Sequence, residues 1–300
     1  MKKTYIFLSL SLLFLLVGCS DQKTASYYPT FSNNLTSTET EYIFGVHPLH
    51  NPQRLFEVFG PMMSYLSENI EGANFKLEAS RNYAAYDKKL YAHKFHFSLP
   101  NPFQTINAVD VGYKVFGKMG DDDNFRGIIL VRKDSGITSV TDLIGKAVSY
   151  PAPTALAATM MPQYYLQTHG LDVIDDLDNR YVGSQESSVM NVFLKQTSAA
   201  STWPPPWHAL SKERPELAEQ LTVIWETQPL LNNGLVVLPS VPDQITQQVT
   251  ELIVNLHTHD EGKAILERME LSKYEKAVDE TYQPVRDFIK IFAAEVRPLK

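Results

Sequence analysis

The only cysteine of this 300-residue chain stands at position 19, behind an export leader, so the fold beyond it must hold without a disulfide. Lys2 and Lys3 precede an apolar run from Tyr5 to Val17, and Leu16-Val17-Gly18-Cys19 closes it as a lipobox. The run is about 13 residues, too short to cross a bilayer as a stable helix. Residues 1–18 therefore read as a lipoprotein signal peptide. Cys19 becomes the lipidated first residue, anchored by more than one acyl chain to a membrane on its extracytoplasmic face, periplasmic side or cell surface. Stability must come from the core, and the remaining chain of about 280 residues is long enough for two lobes.

That compartment holds little ATP, which argues against kinases and synthetases. The formal charge is −7, and removing Lys2 and Lys3 leaves −9. An acidic balance of this size disfavours nucleic acid as a partner. Residues 19–40 (CSDQKTASYYPTFSNNLTSTET) are polar and aperiodic, and they read as a flexible tether behind the lipid.

Order is expected from Glu41-Tyr42-Ile43-Phe44-Gly45-Val46, a buried strand. Residues 51–68 continue with apolar residues at helical spacing, and Pro61 predicts a kink or restart there. Strands are expected at 75–79, 94–99, 147–150, 179–182, 222–225 and 235–238, with helices at 155–169, 187–195, 242–260, 261–269 and 283–295. Gly127-Ile-Ile-Leu-Val-Arg132 is apolar without interruption, as suits a strand buried on both faces. This alternation predicts an α/β fold with largely parallel sheets.

Four stretches could carry a site. In Ser149-Tyr-Pro-Ala-Pro-Thr-Ala-Leu-Ala157 a strand ends, two prolines stiffen the turn, and Thr154 stands where a helix cap belongs. The amides of Ala155, Leu156 and Ala157 are then expected to be free and to suit an anion. Trp203-Pro-Pro-Pro-Trp207 predicts a stiff polyproline-like bridge between two indoles, able to stack on a ligand or seat a lobe. Tyr83 and Tyr86 lie three apart on one helix face. Asn101 and Gln104 flank Pro102 just past a strand end, where ligands of such sheets sit. His47, His50, His93 and His96 match no common zinc spacing, and no nucleophile elbow is present, so neither a metal nor catalysis is expected.

Residues 132–146, RKDSGITSVTDLIGK, are similar to the segment by which type II periplasmic binding proteins pass into their second lobe. With Gly45-Val46-His47-Pro48, Tyr83 and Tyr86, and Asp260-Glu-Gly-Lys-Ala-Ile-Leu266, they resemble the phosphate/phosphite/phosphonate-binding branch, the solute receptors of ABC importers. The resemblance implies two α/β lobes, each a mostly parallel sheet flanked by helices, joined by two crossing strands: lobe 1 at 41–131 plus 234–300, lobe 2 at 132–233. It implies a small anionic, phosphonate- or phosphate-like ligand in the cleft, a permease or membrane sensor as partner, a monomer, no enzyme activity and no cofactor. The relatives' Ser-Thr-Ser cluster is replaced here by Ala155, Leu156 and Ala157, and their histidine after Gly-Ser by Gln185. A degenerate fold member that binds a protein partner, as a sensor or assembly accessory, is the alternative this leaves.

Overall fold

The computed structural model describes residues 39–299; the expected signal peptide, Cys19 and most of the tether lie outside the described residues. The chain runs through β1 (Thr40–Val46), α1 (Pro52–Asn69), β2 (Ala73–Glu78), α2 (Tyr83–Tyr91), β3 (Phe97–Leu99), α3 (Pro102–Asp110) and β4 (Lys114–Met119). It then crosses to β5 (Ile128–Arg132), β6 (Lys146–Tyr150), α4 (Met161–Thr168), β7 (Leu177–Tyr181), α5 (Gln185–Phe193), β8 (Ala199–Thr202), α6 (Pro204–Glu213), α7 (Pro215–Gln220) and β9 (Leu221–Glu226). It returns through β10 (Gly234–Val237), α8 (Asp243–Val254), α9 (Asp260–Arg268), β11 (Tyr274–Glu275) and α10 (Gln283–Glu295).

Two sheets result, ordered β11-β4-β10-β3-β1-β2 and β7-β6-β8-β5-β9. The expected two-lobed α/β architecture is present, but the sheets are mixed rather than mostly parallel. β1 runs parallel to β2 and β3, and β6 parallel to β7 and β8, as crossover helices require. β10 is antiparallel to β3 and β4, and β5 antiparallel to β8 and β9. These two strands arrive from the other lobe, so no crossover helix sets their direction.

β5 also moves the expected lobe boundary. Drawing lobe 2 from residue 132 left 128–131 with lobe 1, yet β5 pairs only within the second sheet. The sheet change falls instead within 120–127 on the way out and 227–233 on the way back. Both faces of β5 are covered, as its unbroken apolar run predicts. Ile129 and Val131 join the large core, while Ile128 and Leu130 pack with Val189, Val192, Leu217 and Leu221.

The two crossing segments are tied to each other. Thr227 N–H donates to the Gly127 carbonyl at 2.9 Å, and Gly127 N–H donates to Thr227 Oγ1 at 2.9 Å. Leu230 N–H reaches the Phe125 carbonyl at 2.9 Å, and Asn232 Nδ2 reaches the Gly120 carbonyl at 2.7 Å. This ladder ties together the two segments that connect the sheets.

One local expectation is narrowed and one is revised. Pro61 lies inside α1, so the helix does not restart there, and its buried face of Leu55, Phe59, Met62 and Leu66 keeps it docked on both sides of the proline. Pro204, Pro205 and Pro206 do not form an extended bridge; they are the first three residues of α6. The first turn of a helix needs no backbone donors, and proline's fixed φ already suits it, so the triplet opens a helix.

Candidate functional site

The segment after β6 was expected to present a capped helix and does so in an altered form. Residues Leu156–Met160 make a π-helical turn that runs into α4. Thr159 and Met160 both donate to the Ala155 carbonyl, at 2.8 and 3.2 Å. Pro162 accounts for the wide turn: it lacks the N–H its helical position requires, and its ring crowds the preceding turn. Ala155, not Thr154, occupies the cap position, and its own amide is taken by the Ala152 carbonyl at 3.2 Å. The amides left without a partner among the described residues are therefore those of Leu156, Ala157 and Ala158, one step beyond the expected set.

These amides border a small cavity between the lobes, with room at its centre for about one water molecule. Ala155, Leu156, Ala157 and Ala158 form one wall, Gln185 and Trp203 add the rest of lobe 2, and Tyr83, Asn101 and His47 close it from lobe 1. Phe125 and Asn233 enter from the two crossing segments. Every lining residue is uncharged at neutral pH. Burial pushes the imidazole of His47 down to about 4, with only the Leu99 carbonyl, 2.8 Å from Nδ1, opposing. The Tyr83 hydroxyl, also buried, is pushed far up and stays protonated.

The supporting bonds arise from local sequence. Asn82 caps α2 by accepting from Ala85 N–H at 2.9 Å, which sets Tyr83 at the first helical position facing the cavity. Asn101 and Gln104 form a capping box at the start of α3. Asn101 Nδ2 then reaches across the cleft to the Thr154 carbonyl at 3.0 Å. Gln185 accepts from Thr202 Oγ1 at 2.7 Å and points Nε2 at the Tyr83 hydroxyl, 3.4 Å away in the other lobe. Asn51 to Glu186 at 2.9 Å and the Arg54–Glu213 ion pair add further bridges. The lobes are closed on each other.

Of the residues singled out from the sequence, Tyr83, Asn101, Ala155, Leu156, Ala157, Gln185 and Trp203 meet at this cavity. Three do not. Tyr86 is fully buried, bonded to Ser98 Oγ at 2.6 Å and stacked on Phe95. Gln104 turns away to Asp87. Thr154 lines a separate, wider groove with Asp87, Phe103 and Pro151. Trp207, the second indole, packs on the small core of lobe 2. The histidines that sequence spacing groups together go to separate partners: His93 to the Val111 carbonyl, His96 to the Ile43 amide and His47 to this cavity.

His47, Phe125, Ala158 and Asn233 were not foreseen as lining. His47 had a usable signal, since it stands at the carboxyl end of a strand. Asn232-Asn233 before an apolar strand was another. Nothing local marks Phe125.

Replacing Asn101 with alanine removes both its cap and its bond across the cleft. A loss of about 1 kcal/mol, read as a melting point lower by about 2–4 °C, is the expected result. An unchanged melting curve would show that solvent replaces the cap.

Residues 44–282 match the family described as "ABC transporter, phosphonate, periplasmic substrate-binding protein". The phosphonates-binding periplasmic protein of Escherichia coli K12 is 21% identical over 251 residues, covering 81% of this chain and 74% of that protein. The crystal structure of a phosphonate-transporter binding protein from Pseudomonas aeruginosa superposes with a TM-score of 0.78 at 20% identity, covering 85% of this chain and 87% of that one. PhnD1 from Prochlorococcus marinus, solved with methylphosphonate, gives 0.77 at 17% identity, covering 84% and 97%. The chain belongs to the family of periplasmic substrate-binding proteins of phosphonate ABC transporters.

Proposed function

We propose that this protein is the solute receptor of an ABC importer and closes its two lobes on a small tetrahedral oxyanion of the phosphonate or phosphate class. The observation that carries the reading is the set of amides at Leu156, Ala157 and Ala158, without a partner among the described residues, at a helix start that lines the interlobe cavity. Unpaired N–H groups at a positive helix end are what an oxyanion requires. Tyr83 and Gln185 add side-chain donors from opposite lobes, so ligand contacts both and favours the closed state. The partner is then a permease that recognises the closed lobes. Cys19 anchors the receptor by lipid on the extracytoplasmic face, and it works as a monomer without cofactor or catalysis.

Titration of the purified protein with methylphosphonate tests this, with indole emission as the signal because Trp203 lines the cavity. Saturable quenching or enhancement is expected. Ala155→Ser with Ala157→Ser returns two hydroxyls to the wall and should tighten binding by roughly tenfold, at about 1 kcal/mol for each new hydrogen bond discounted for imperfect geometry. No signal from phosphate, phosphite or any phosphonate would overturn the reading and turn the search to a protein partner.

A further inference from the structure

The cavity holds acceptors as well as donors. Asn233 is 1% exposed, and its Oδ1 has no hydrogen-bond partner among the described residues. Its orientation is set by Nδ2, which donates to Met119 Sδ at 3.3 Å; reversing the amide would press oxygen against sulfur lone pairs. A buried amide oxygen without a protein donor is costly, so Oδ1 is placed to accept from whatever occupies the cavity. His47 presents a second acceptor. Its Nδ1 faces the Leu99 carbonyl, which can only accept, so the proton of the neutral ring sits on Nδ1 and the lone pair on Nε2. Both residues line the same cavity as the free amides, and among the described residues that line it none is a cation able to balance a second ligand charge.

Resting on the receptor reading above, we infer that this site selects an oxyanion that still carries a proton, a hydrogen phosphonate monoanion, over the fully ionised dianion and over a sulfonate of the same shape. The unprotonated oxygens take the amides of Leu156, Ala157 and Ala158, and the P–O–H donates to Asn233 Oδ1 or His47 Nε2. A sulfonate has no such proton and sets an oxygen against acceptor lone pairs. An unmet buried acceptor weakens binding by roughly tenfold to a hundredfold.

The titratable groups around the acceptors leave the ligand as the one that changes. His47 faces His50, Tyr83 and Tyr86. Behind Asn233, Asn232 N–H donates to Asp122, which pairs with Lys118. Asp87, beside the two tyrosines, is held up at about 6, so the range that isolates the ligand runs from about pH 7 to about pH 9. There Asp87 is ionised, the two histidines stay neutral, since burial holds them at about 4 and about 3, and the two tyrosines stay protonated.

The test is calorimetric titration of the purified full chain with methylphosphonate and with methanesulfonate across that pH range. Methylphosphonate is expected to bind at least roughly tenfold tighter than methanesulfonate, and its Kd to rise about tenfold per pH unit above its second ionisation. Asn233→Leu should narrow the preference. Should that variant fail to fold, the pH series on the unaltered protein decides alone. Equal affinity for both ligands, or a methylphosphonate Kd flat with pH, overturns this inference and leaves the receptor reading standing. Binding of neither ligand, nor of phosphate or phosphite, overturns both.

Discussion

Gly127→Ala is expected to lower the melting point by about 4–8 °C and to weaken ligand binding by at least roughly tenfold. A Cβ at this position would lie 2.5 Å from the Ala157 carbonyl oxygen and 2.5 Å from Pro162 Cγ. Neither neighbour yields easily: one is backbone of the π-helical turn, the other a closed ring. The overpacking costs about 2 kcal/mol, which in a protein of this size gives that shift in melting point. Binding suffers as well, because the turn that must retreat carries the free amides. The same residue ties the two crossing segments through both its N–H and its carbonyl. Gly60→Ala is the control. It lies inside α1 with nothing within 4 Å of its added Cβ, and removing a helical glycine should stabilise by up to about 1 kcal/mol. Equal melting points for the two variants would remove the packing argument.

Acidification is the second large effect. Burial lowers His47 to about 4, and burial with the nearby Arg54 and His47 lowers His50 to about 3, both from 6.5. In the unfolded chain these imidazoles take up protons that the folded protein refuses. Their stabilisation is therefore complete above about pH 6.5 and is lost as pH falls toward about 4 and about 3. His47 alone accounts for roughly 3 kcal/mol at an order-of-magnitude level, and His50 for a similar amount. Asp87 acts in the opposite sense. Burial raises its carboxyl from 3.8 to about 6, so acidification through that window restores up to roughly 3 kcal/mol. Two imidazoles outweigh one carboxyl, and a net loss of roughly 3 kcal/mol is expected between about pH 6.5 and about pH 4. Melting curves over that range check it. Asp87→Asn removes the offset, and the acid loss should steepen; an unaltered slope would show that Asp87 is not buried as a neutral acid.

Much of the architecture was legible because its signals are local. Asn51, Asn82 and Asn101 cap α1, α2 and α3, each accepting from a backbone N–H three residues on. The apolar period of α1 and the unbroken run of β5 needed no tertiary knowledge either. Tyr83 and Tyr86, by contrast, have equal claims from spacing alone. They part company because Tyr83 faces the cleft and Tyr86 faces Ser98 and Phe95. The proline triplet misled for a related reason. Proline fits an extended bridge and a first helical turn equally well, and it is Trp207 to Glu213, continuing as helix, that select the second.

Most of the elements and their order, though not β4, β8 or α6, could be read along the chain, as could the lack of disulfide support and the uncharged residues at the expected ligand turn. Periodicity, capping and composition act over a few residues and leave their mark there. Three-dimensional folding was needed to bring Asn233 and Phe125, more than a hundred positions apart, into one cavity, because the two connecting segments cross side by side. The same closure sets β5 and β10 against their neighbours, and it leaves the amides of Leu156, Ala157 and Ala158 free. Those outcomes depend on how distant segments close on each other, which no local pattern encodes.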